Sequence, residues 1–173
     1  MYPLRLLLTL LLCASAAYAA PVRRPAAKAA PKAAAKPVAP TTVTTSNLGA
    51  VLTSLGYKPV LKDGAQRLQV EEPKFGYWID LSFSKSGEWL VCMAHLAPIP
   101  DLTKVPASPL LSLLATNDTL LGTYFSYDRT NGQVMLNAAL PTRGLTPPAL
   151  KNTLERMKAT VRETQGLWDP SRW

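Results

Sequence analysis

The residues of this chain best suited to nucleophilic, acid–base or metal chemistry are one histidine, His95, and two cysteines, Cys13 and Cys92. A hydrolytic triad needs a histidine beside a nucleophile and an orienting carboxylate. His95 instead ends an apolar run and shares its alternation with Trp89, Val91 and Met93, the setting of a structural or surface histidine. One histidine and one cysteine outside the leader cannot assemble an ordinary zinc site, and no acid-rich loop has calcium-binding spacing. No metal and no cofactor are expected. Glu71-Glu72 would point to opposite sides of a strand, unlike the facing carboxylates of a glycosidase. Asp80, Glu88 and Asp128 are the acids an unfamiliar acidic site would use, and Asp80 could meet Glu88 across a hairpin, although a solvated face explains them more simply. Asn117-Asp118-Thr119 matches a glycosylation acceptor, a short pattern placed at a helix end. No glycine loop of phosphate-cradling type is present, so the chain reads as a binding domain without catalysis.

The constellation that survives is apolar. Residues 76–83 alternate, with Tyr77, Ile79, Leu81 and Phe83 on one side and Trp78, Asp80 and Ser82 on the other. Lys85-Ser86-Gly87 makes a hairpin loop, and 88–96 returns as a strand apolar on both sides, as a central strand is: Leu90, Cys92, Ala94 and Leu96 face the core, and Trp89, Val91 and Met93 face away. Met135 faces away from the core on the last strand. Trp78, Trp89, Val91, Met93 and Met135 therefore form a candidate partner-binding patch, with tryptophan and methionine as anchors, unless a helix covers it. Trp168 and Trp173 are placed to pack back on it.

The elements that position this patch follow from periodicity and capping. Ser46 can cap a short helix carrying Leu48, Val51, Leu52 and Leu55, with Gly56 at its end. Asp63-Gly64 marks a turn before a half-buried strand over 67–71. Prolines at 98, 100, 106 and 109 delay the next helix until Ser108 caps it with Pro109 in its first turn. Leu110, Leu111, Leu113 and Leu114 predict that this helix is well buried, and Asn117-Asp118 close it. A hairpin over 124–140 turns at Asn131-Gly132 and places Val134, Leu136, Ala138 and Leu140 inward. Thr146 caps the final helix, with Pro147 in its first turn, Leu150, Leu154, Met157 and Val161 along one side, and Gly166 as its stop. The order is α-β-β-β-α-β-β-α, an α+β domain with an antiparallel five-stranded sheet.

Ahead of this domain the composition changes twice. Arg5, an apolar run over 6–12 and the small residues ending in Ala17-Tyr18-Ala19 predict a signal peptide over 1–19, and hence an exported, periplasmic, envelope or extracellular protein with no transmembrane segment after cleavage. Loss of Cys13 with the leader leaves Cys92 without an internal partner, an inert core thiol. Residues 20–45 are Ala-, Pro- and Lys-rich, and the repeated prolines predict an extended, disordered linker. Its cations, Arg23, Arg24, Lys28, Lys32 and Lys36, give it a charge of +5, against +2 for residues 46–173. Those five are the candidate contacts to an anionic surface polymer, and they define an alternative function, a structural envelope protein tethered through its tail. The nearly neutral domain argues against nucleic acid as a partner.

The element order, the stretch from Leu110-Leu111 to Asn117-Asp118, the strand pair 122–128 and 132–136, and Leu145-Thr146-Pro147 before a long helix resemble the YbjN-type sensory transduction regulator family, whose superfamily includes the class I type III secretion chaperones. The resemblance covers roughly 46–168, and Asn117 is its sharpest single position. It implies a five-stranded antiparallel sheet packed against helices, frequent homodimers, peptide or protein clients and no known catalytic residues. The chaperones are cytoplasmic and usually acidic, whereas this chain reads as exported and mildly basic. The sequence thus predicts an exported, non-catalytic, self-associating domain of chaperone-like or regulatory type that binds a protein or peptide.

Overall fold

The computed structural model describes residues 42–99 and 101–173. Its elements are α1 (Leu48–Ser54), β1 (Val60–Lys62), β2 (Ala65–Glu71), β3 (Gly76–Phe83), β4 (Trp89–Pro98), α2 (Ala107–Asn117), β5 (Thr123–Asp128), β6 (Gln133–Pro141), α3 (Pro147–Glu163) and α4 (Gln165–Trp168). The strands form one antiparallel sheet in the order β1-β2-β3-β4-β6-β5. It has six strands rather than five. The added strand is β1, which joins β2 through Asp63-Gly64; both residues adopt positive φ, 50° and 80°, as a two-residue hairpin turn of the primed type requires. Sequence reading finds the turn and misses the strand because three exposed residues carry no alternation.

The register fixes two faces. Leu68, Ile79, Ala94, Leu136 and Phe125 lie opposite one another across five strands, and Leu81, Cys92 and Ala138 repeat the pattern one step along. These residues join Val51 and Leu52 of α1, Leu113 of α2, Leu150, Leu154, Met157 and Val161 of α3 and Trp168 of α4 in a single buried cluster. Every inward side chain expected from the periodicity of α3 is fully buried. The expected cap is also present, with Thr146 Oγ1 accepting from Ala149 N at 3.4 Å. β4 lies centrally between β3 and β6, which explains why it is apolar on both sides.

Several boundaries differ from expectation. α1 is capped at Asn47 rather than Ser46: the Asn47 carboxamide turns back, accepting from Thr44 N at 2.8 Å and donating to the Thr42 carbonyl at 2.9 Å. α2 is capped at Pro106 rather than Ser108, so Pro109 is its third residue and not its first, a position where its missing N–H still costs nothing. Gly166 lies inside α4 and does not stop α3, which ends at Glu163. Trp168 and Trp173 do not reach the proposed patch. Trp168 packs edge-on against Phe75 at 5.3 Å, donates through Nε1 to the Val161 carbonyl at 3.0 Å and belongs to the core on the helix side, where Trp173 packs against the same cluster.

Candidate protein-binding face

The side of the sheet that faces away from the helical cluster is built from two rows. Val60, Arg67, Asp80, Met93, Asn137 and Tyr124 lie opposite one another across all six strands, and Gln69, Trp78, His95, Met135 and Ser126 form the next row. Trp78 is 43% exposed and Trp89 46%, so among the described residues no helix covers either ring. Val91 and Met93 are half-buried between them. Trp89 lies six residues from His95, the strand partner of Trp78, which separates the tryptophans by ~20 Å at 3.3 Å per residue. They therefore mark the two ends of a strip along β4 rather than one compact patch. Met135 is buried at 7% exposure, though outside the main core; flanked on both sides by neighbouring strands, it forms floor and offers no anchor.

The charged residues at the centre of this face are paired rather than solvated. Asp80 is buried and accepts from Arg67 Nε at 2.6 Å and from a second guanidinium nitrogen at 2.5 Å. His95 Nε2 stands 3.1 Å from Asp80 Oδ2, close enough for an ion pair but outside hydrogen-bond angles. The Arg67 guanidinium lies 5.2 Å over the Trp78 ring, and the His95 ring is 6.2 Å from it. Asn137 donates to Ser126 Oγ at 2.7 Å. The three candidate acids are not brought together: Asp80 faces Met93, five residues along from Glu88, and Asp128 faces Gln133 in the far hairpin. The Asp128 carboxyl is held below the usual carboxylate range, chiefly by the Asn131 side chain and next by the Thr130 N–H, as in a structural turn. Among the described residues no cluster of ligating side chains could hold a metal, and no helix is long and apolar enough to cross a membrane.

Sequence reading misses the charged cluster because its members, each on the outward side of its own strand, meet only once the register is known. It also overestimates the burial of α2. This helix packs at the sheet edge against β5 and α4, burying Leu113 and leaving Leu111 and Leu114 64% and 63% exposed. Leu121 extends this second apolar surface, and a groove of about 360 Å³ runs between α2 and the β5–β6 hairpin, lined by Leu110, Leu113, Phe125 and Val134. Asn117 fastens the helix to the strand: its Oδ1 accepts from Phe125 N at 2.7 Å and its Nδ2 donates to the Phe125 carbonyl at 3.2 Å. The amide that the glycosylation pattern would modify is thus engaged in the fold. Cys92 is fully buried, and burial pushes its thiol up to about 12, an unreactive setting. Arg23, Arg24, Lys28, Lys32 and Lys36, together with the expected leader, lie outside the described residues.

This mixed architecture, helices packed on an antiparallel sheet, resembles the fold of chains in solved protein–protein complexes. A chain of the ExsC–ExsE complex matches it with a TM-score of 0.54 at 17% identity, over 72% of this chain and 92% of its own length. A chain of the heterodimeric ExoU–SpcU complex from the type III secretion system of Pseudomonas aeruginosa gives 0.52 at 17% identity, over 71% and 98%. A chain of the HopA1–SchA chaperone–effector complex is 21% identical over 71% and 90%, with a TM-score of 0.49. No protein-family model and no curated protein matches the sequence.

Proposed function

We propose that this protein is an exported, non-catalytic binding domain, of YbjN-type and chaperone-like or regulatory character, which holds a polypeptide along the strip from Trp78 to Trp89. The observation that carries this reading is the uncovered sheet face, where two half-exposed tryptophans bracket Val91 and Met93. A strip of ~20 Å accommodates about six residues of extended chain. Tryptophan is enriched among the residues that dominate interface energies. Support also comes from the fold, shared with chains of the ExsC–ExsE and ExoU–SpcU complexes. Export rests on the leader-like N-terminus. Self-association belongs to the same reading, since the α2 surface of Leu111, Leu114 and Leu121 leaves a second copy room to bind while the strip is occupied.

Replacing Trp78 and Trp89 together with serine tests the strip. Capture of a polypeptide from crosslinked envelope extract in high salt is lost while the circular dichroism spectrum is unchanged. Retained capture in a folded double variant overturns the assignment of this face.

A further inference from the structure

His95 stands at the Trp78 end of the strip, held between two acceptors. On one side Gln133 donates through Nε2 to the Leu96 carbonyl at 3.0 Å, which turns its Oε1 toward His95 Nδ1 at 3.3 Å. That orientation makes Nδ1 the protonated nitrogen of the neutral ring. On the other side Nε2 is buried without a hydrogen bond and faces Asp80 Oδ2 at 3.1 Å. In the neutral ring this nitrogen has no proton to offer the carboxylate oxygen 3.1 Å away, and two electron-rich atoms at that distance repel. A proton bound at Nε2 turns the contact into an attractive ion pair.

The charged groups around the imidazole come from three strands. β3 supplies Asp80 and β2 supplies Arg67, which already occupies both Asp80 oxygens. β5 supplies Asp128, near enough that the charge of His95 helps hold its carboxyl low. From β6 comes only the neutral Gln133. Two acids and one base therefore surround a histidine whose ring also lies beside Trp78.

We propose that His95 is a proton switch for the Trp78 end of the strip: proton uptake at Nε2 closes the Arg67–Asp80–His95 triad and brings a second cation against the tryptophan. The local switch stands on the geometry alone; its consequence, that the grip on a polypeptide changes with pH, rests on the proposed function of the strip.

The test uses the full chain without a partner, so its failure is distinct from failure of the binding reading. His95 is the only histidine, and its ring nitrogens can be followed by nuclear magnetic resonance without ambiguity from about pH 8 to pH 5. The expected result is a neutral ring protonated at Nδ1 that takes its second proton at Nε2, with the Trp78 indole N–H resonance moving in the same step. Trp78 fluorescence falls with that step, since an imidazolium quenches an adjacent indole, and the fall is absent from H95Q and from W78F. A neutral ring protonated at Nε2, or a Trp78 resonance that stays fixed while His95 titrates, overturns the proposal. The ring and indole signals are read on the unsubstituted protein, so the outcome does not depend on either variant folding.

Discussion

The two faces of the sheet are cut from the same strands and treated in opposite ways. On the helix side, Ile79, Leu81, Leu90 and Cys92 have no exposed surface, and four helices complete one continuous cluster around them. On the other side the intervening residues of β3 and β4 include Trp78, Trp89, Val91 and Met93, nearly as apolar, yet among the described residues no helix covers them. Apolar composition alone does not decide burial; which face the helices return to does. The open face spends its polar residues on a paired cluster that keeps Asp80 and Arg67 in place, whereas the closed face has no charged member.

Substitutions on the two faces sharpen this contrast. The largest stability loss is expected on the helix side, where Leu154→Ala removes a fully buried side chain and costs about 2–5 kcal/mol in denaturant unfolding. On the open face the largest loss comes from Asp80→Ala, which leaves Arg67 and His95 without their carboxylate; about 2–3 kcal/mol is expected, with Trp78 fluorescence altered as its neighbours shift. Asn117→Ala, at the junction of α2 with β5, gives up both hydrogen bonds to Phe125 and costs about 1–2 kcal/mol, with faster amide exchange confined to α2 and β5. Trp78→Ser and Trp89→Ser should each cost less than about 1 kcal/mol because the rings are half-exposed, while removing polypeptide capture. If the tryptophan variants instead unfold as readily as Leu154→Ala, the faces do not differ in the way described.

Much of the closed face was legible in the sequence, for a physical reason. Its elements announce themselves through period and caps: the spacing of Leu150, Leu154, Met157 and Val161, the cap at Thr146, the alternation of Tyr77 to Phe83 and the turn at Asn131-Gly132 all recur in the structure. The outward direction of Trp78, Trp89, Val91 and Met93 follows from the same alternation. What stays hidden depends on long-range placement. The Arg67–Asp80–His95 cluster joins three strands in a register that no single strand specifies. α2 reads as buried because leucines surround it, but its position at the sheet edge leaves room for only one of them inside. β1 is too short and too exposed to carry a pattern, and Trp168 joins the helix-side core only because the chain turns after α3.

The most direct test of the open face places a photocrosslinking amino acid at Val91, in the middle of the strip, and for comparison at Lys151 on the exposed side of α3, in the full chain expressed in cells. Irradiation should join a defined polypeptide to position 91 that persists in high salt, with no matching product from position 151. A chain that crosslinks equally from both positions, or that gives no product at 91 while remaining folded, would contradict the claim that this face is where the protein holds its partner.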